Sequence, residues 1–236
     1  MNPINYSDLQ ITTLWNDYAD TRNKGLKKVA NNKLRKLIQF VNSKDKNERQ
    51  AFADYICNEK FEKESIEDFQ QPLIVDLILP IITQKVEMEE MPYLRWIYQL
   101  NINNFVCKTA ADKVEYYNSE EILIKANKVD PSDMKTVYLL IDMYMYDLWY
   151  GSHHLPEYIL IDEKDVNDSL NKVYEIVKKY ESKINCKYDI YRDIKYYKDL
   201  YISWFTYKGE NTDLTFDEWC KSNNKVYSWI EAFYYD

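Results

Sequence analysis

Leu26-Lys-Lys-Val-Ala-Asn-Asn-Lys-Leu-Arg-Lys-Leu-Ile-Gln-Phe-Val41 places apolar side chains at Leu26, Val29, Ala30, Leu34, Leu37, Ile38 and Val41. They recur at i, i+3, i+4 and i+7, the period of one face of an α-helix, and the lysines fall on the other face. Working outward, the same period governs nearly the whole chain. On the N-terminal side, Ile11, Leu14, Trp15 and Tyr18 share a face, with Ser7 as the expected N-cap. On the C-terminal side, a third helix around 46–60 packs through Phe52, Tyr55 and Ile56.

Pro72 stands where a first helical residue would, ahead of the apolar run Leu73–Ile82. That run is apolar on all sides and reads as a buried helix, kinked or ended near Pro80. A buried strand is the competing reading of so short a run. Pro92 opens another helix, with Leu94, Ile97 and Leu100 inward and Trp96 alongside. Further helices are predicted near 110–128, 132–150, 164–184 and 187–208. Thr215-Phe-Asp-Glu218 has the spacing of a capping box, and its helix should bury Phe216, Trp219 and Cys220. A last piece, Val226–Tyr235, is expected to dock through Trp229, Ile230 and Phe233. Only Tyr158–Ile161 is a candidate for extended chain.

The expected fold is therefore all-α, with about nine or ten helices in irregular antiparallel hairpins. No linker rich in Pro, Gly or Ser divides residues 1–236, which predicts a single domain. The turn from Ala126 to Asp130-Pro131, ending one helix and opening the next, has tetratricopeptide-like character, although no full repeat recurs.

Composition removes several functions. With only three glycines, Gly25, Gly151 and Gly209, the chain has no glycine-rich phosphate loop, and it lacks GxSxG and HExxH motifs. The four cysteines are scattered without metal-ligand spacing and read as reduced packing thiols. The N-terminal residues lack a basic-then-apolar leader pattern, and Leu73–Ile82 is about half the length of a membrane span. A cytoplasmic protein without a membrane segment is the expectation. The 23 tyrosines accompany an excess of Asn, Lys and Ile, as in an AT-rich genome, so only clustered aromatics carry weight.

Charge is unevenly laid out. Residues 22–63 hold twelve Lys or Arg against five acids, whereas residues 130–170 hold nine acids against two lysines. The acids are Asp130, Asp133, Asp142, Asp147, Glu157, Asp162, Glu163, Asp165 and Asp168. A single-sign patch of this kind attracts a partner of opposite sign. Acids also gather at helix starts, where they complement the helix dipole, and Asp130, Asp133, Asp162 and Asp165 suit that role.

Asp142 and Asp147 lie inside the apolar stretch Val137–Trp149 and are expected to face inward, toward a partner group. Both histidines follow at once, in Tyr150-Gly-Ser-His-His-Leu-Pro-Glu-Tyr158. The favoured reading is a structural polar cluster of Asp142, Asp147, His153 and His154, with Gly151 supplying a positive φ and Pro156 fixing the exit. The competing readings are a metal site or a His/carboxylate acid–base pair of a metal-dependent hydrolase using His153 and His154. Adjacent histidines rarely share one ion, and no nucleophile or oxyanion device accompanies them. No metal and no cofactor are expected.

The Ala126…Asp130-Pro131 turn, the apolar helix after it and Gly151-Ser-His-His-Leu-Pro-Glu157 together resemble a family of helical bacterial immunity-type proteins, over about residues 120–162. That resemblance implies a non-catalytic inhibitor of a secreted or contact-delivered toxin, such as a nuclease. The expected partner is a protein, a basic toxin domain, rather than nucleic acid or membrane. The expected partner-binding residues are Asp130, Asp133, Glu157, Tyr158, Asp162, Glu163, Asp165 and Asp168. Tyr138, Tyr144, Tyr146, Trp149 and Tyr150 lie within the acidic block, and their exposure decides whether they serve an interface or the core.

Overall fold

The computed structural model describes residues 1–67, 69–101 and 119–227. Its regular elements are all helical, and no strand occurs among the described residues. The chain divides into two compact units, Met1–Ser132 and Asp133–Asp236, with the boundary in the Asp130-Pro131 turn rather than at a Pro- or Gly-rich linker. No helix among the described residues is long and apolar enough to cross a membrane.

In the first unit, α1 (Leu9–Asn23) is capped by Asp8, not by the expected Ser7. The Asp8 carboxylate accepts the Gln10 and Ile11 amides at 2.8 and 3.0 Å, and it also takes Lys44 Nζ at 2.8 Å, a partner that Ser7 could not hold as an ion. Ile11, Trp15 and Tyr18 are buried as the period requires. A turn at Gly25, whose φ of +74° suits a residue without Cβ, leads into α2 (Lys27–Asn42). Ala30, Leu34, Leu37, Ile38 and Val41 of α2 form the stripe packed on α1, while Leu26 and Val29 stay exposed.

Asp45 and Glu48 close a capping box on α3 (Lys46–Cys57), which runs into a π-helical turn, Asn58–Glu62. The apolar run is helical, not a strand. It comprises α4 (Gln71–Leu73), a π-helical turn (Ile74–Ile78) and α5 (Leu79–Glu87). The chain stays helical through Pro80. Proline offers no N–H to the carbonyl of Asp76, and Asn42 Nδ2 donates to that carbonyl instead, at 3.2 Å. In α6 (Tyr93–Asn101), Leu94, Trp96, Ile97 and Leu100 are buried. Beside them the Glu62 carboxylate accepts both Arg95 Nη2 and Trp96 Nε1 at 2.7 Å. α7 (Glu120–Val129) ends this unit. The first part of the helix predicted at 110–128 lies outside the described residues, as does Cys107.

The second unit holds α8 (Met134–Ser152), α9 (Glu163–Lys179), α10 (Lys187–Gly209) and α11 (Phe216–Ser222). Thr215 and Glu218 make the expected capping box at the start of α11. Phe216, Trp219 and Cys220 are buried with Leu155, Leu200, Trp204 and Tyr227 in one core. Tyr158–Ile161 is irregular chain held by Leu160 N–H donating to the Gly151 carbonyl at 2.8 Å. Trp229, Ile230 and Phe233 lie outside the described residues.

Candidate functional site

Everything at the candidate site follows from the phase of α8. Val137, Leu140, Ile141, Tyr144 and Leu148 recur at helical spacing and are buried. That fixes the opposite stripe, Asp142, Tyr146, Trp149, Tyr150 and His153, as the outward one. Tyr146, Trp149 and Tyr150 are indeed 57%, 49% and 48% exposed, and so is Tyr158 in the following loop, at 48%.

These side chains form a continuous ladder of rings. Centroids along Tyr146, Tyr150, His153, His154 and Tyr158 are 6.0, 4.7, 4.0 and 4.6 Å apart. Trp149 flanks it, 5.5 Å from Tyr146 and 5.8 Å from His153. His153 is the C-cap of α8, and its Nδ1 contacts the Tyr150 carbonyl. Below the ladder, Leu155 drops into the core and anchors the loop. Tyr144 belongs to the core, with Lys172 of α9 over its ring at 5.4 Å, and Tyr138 is half-buried.

Gly151 holds the loop and α10 against α8. A Cβ there would lie 2.3 Å from Ile161 Cγ2 and 2.6 Å from Tyr201 Oη. The Tyr201 hydroxyl donates to the Leu148 carbonyl at 2.6 Å, within that close approach. The expected role of Gly151 is therefore corrected. It is helical rather than at positive φ, and it is needed for proximity.

The expected polar cluster is corrected too. Asp142 and Asp147 are exposed rather than inward, because the helix turns its Leu/Ile stripe to the core. His153 bonds a backbone carbonyl, not an aspartate, and both imidazoles stack with tyrosines. Although Asp142 is exposed, desolvation by the protein around it raises its carboxyl above the ordinary value. Among the described residues, no three His, Cys, Asp or Glu side chains are grouped so as to hold a metal.

The remaining acids fall into two sets. Asp130 takes the Ser132 amide at 2.9 Å and Asp133 takes the Thr136 hydroxyl at 2.6 Å, so both shape the turn and are only half-exposed. Asp162 caps α9 by accepting the Asp165 amide at 2.8 Å. Glu157, Asp162, Glu163, Asp165 and Asp168 are all exposed. The sequence placed Tyr158 at the site and left Tyr146, Trp149 and Tyr150 open between interface and core, which their exposure resolves toward the surface. The outward phase of α8 was the signal in the sequence that could have placed them.

Comparison of the chain with protein-family models, with curated proteins and with solved structures returns no match.

Proposed function

We propose that this chain is a non-catalytic binding protein of the immunity type, which neutralises a basic protein partner through the aromatic ladder on α8 and the carboxylates around it. The observation that carries the reading is the ladder itself. Four large aromatic side chains stand about half exposed in one contiguous stack, whereas surface apolar groups without a partner are usually scattered singly. Tyr and Trp are the residue types that dominate binding energy at interfaces. Asp142 shares their stripe and Glu157 precedes Tyr158, so the face also attracts cations. A toxin surface that holds nucleic-acid phosphates is basic and fits such a face.

The metal-dependent hydrolase is the weaker reading. His153 and His154 present ring faces to neighbouring tyrosines, and His153 Nδ1 is engaged by a backbone carbonyl. A catalytic base needs a nitrogen directed at substrate.

The test is calorimetry against the product of the adjacent reading frame. Trp149→Ala with Tyr150→Ala should weaken binding by about thirtyfold or more, the scale of an interface hot spot. Lys27→Glu with Lys28→Glu should leave it unchanged. Loss of binding on lysine reversal alone, with the aromatic variants intact, would overturn the assignment of this face.

A further inference from the structure

We propose that the groove between α3 and α5 in the first unit binds a small monocarboxylate bearing a short apolar arm. The groove encloses about 270 Å³ and is lined by Lys46, Arg49 and Gln50 on one wall and by Leu77, Ile81 and Gln84 on the other. Its two cations differ from those nearby. Lys44 is paired with Asp8 at 2.8 Å and with Glu48 at 3.8 Å, and Lys33 with Asp17 at 2.6 Å. Neither Lys46 nor the Arg49 guanidinium makes an ion pair or side-chain hydrogen bond with any described residue, and Arg49 Nε is buried with no acceptor.

Buried donors in native proteins are nearly always satisfied, so an unmet guanidinium proton beside a groove points to an acceptor that arrives with a ligand. A carboxylate matches the planar fork of arginine, which offers it parallel N–H donors. The Arg49 charge acts on the Asp45 carboxylate only through space, and no local acid among the described residues closes an ion pair with it. Asp45 is occupied in the α3 capping box, and Asp54 accepts from Gln50 Nε2 and the Tyr93 hydroxyl at 2.8 and 2.9 Å. Pro80, exposed, and Ile81, half-buried, give the opposite wall an apolar surface, with Leu77 buried beneath them. That surface rewards an alkyl arm, which inorganic phosphate lacks.

The experiment titrates the full chain with hexanoate, hexanol and inorganic phosphate, following backbone amide shifts. Hexanoate should saturate and shift residues of both walls, with hexanol and phosphate each at least about tenfold weaker. Arg49→Met and Lys46→Met should each weaken hexanoate by about tenfold while leaving the spectrum folded, since neither side chain bonds within the protein. Equal binding of hexanol, equal binding of phosphate, no saturation at concentrations on the order of 50 mM, or unchanged affinity in both variants would each overturn the proposal. Lys46 is exposed on the helix surface, so its variant stays informative if Arg49→Met fails to fold.

Discussion

Two residues show how little of a side chain's role lies in its type. Gly151 and Gly209 both sit in helices, yet a Cβ at Gly151 would meet Ile161 and Tyr201 below 3 Å while one at Gly209 meets nothing within 4 Å. Gly151→Ala is expected to destabilise the protein by about 1–3 kcal/mol through overpacking. Gly209→Ala should be neutral or stabilise by up to about 1 kcal/mol through helix propensity. Urea denaturation of the two variants side by side checks the contrast. Asp8 offers a pH-dependent counterpart. The Lys44 hydrogen bond and the α1 amides hold its carboxyl below the ordinary 3.8. A depressed folded-state value means that its stabilisation is complete above about 3.8 and is lost as pH falls through the lower folded value. Asparagine keeps the cap but not the charge, so Asp8→Asn should cost no more than about 1 kcal/mol near neutrality. That difference should vanish in acid, as thermal melts at several pH values would show.

At the scale of elements, several features whose information is local were legible in the sequence, although the Asp8 cap and the phase of α8, equally local, were not read from it. The capping box at Thr215 and Glu218, the stripe of α2 and the start of α6 after Pro92 depend on neighbours within two turns, and all are present. Passage through Pro80 was not legible, because it rests on Asn42, 34 residues away from the carbonyl it serves. Asn42→Ala should cost no more than about 1 kcal/mol, because the bond is exposed and water can serve the carbonyl in its place. Thr215→Ala should cost about 0.5–2 kcal/mol through loss of the α11 cap. Chemical denaturation measures both. The site was half legible. Its residues stood in the quoted stretch, and the alternation of Val137, Leu140, Ile141, Tyr144 and Leu148 contained the phase that turns Tyr146, Trp149 and His153 outward. Taking the helix as buried all round sent Asp142 and Asp147 inward. Gly151 could not be read from its neighbours, since Ile161 and Tyr201 come to it only in the folded chain.

Across the whole molecule, charge follows the division into units. Asp133–Asp236 carries nineteen acids against thirteen Lys or Arg, so most of the formal net charge of −8 belongs to the unit that bears the ladder. Net charge keeps an exposed aromatic face from pairing with its copies. Near the isoelectric point of about 5.0 that protection is withdrawn, and light scattering should register self-association there that Trp149→Ala with Tyr150→Ala suppresses. Association with a basic partner should slow steeply as salt rises toward a Debye length of about 8 Å, and Glu163→Lys with Asp168→Lys should flatten that dependence in stopped-flow measurements. The close approach at Gly151 has a different reach, into descent. In lineages of this chain, position 151 should gain a side chain only where positions 161 and 201 have already changed. A side chain gained at the first demands a smaller one at the second and a lost hydroxyl at the third, while the rings above remain free to drift with whatever they meet.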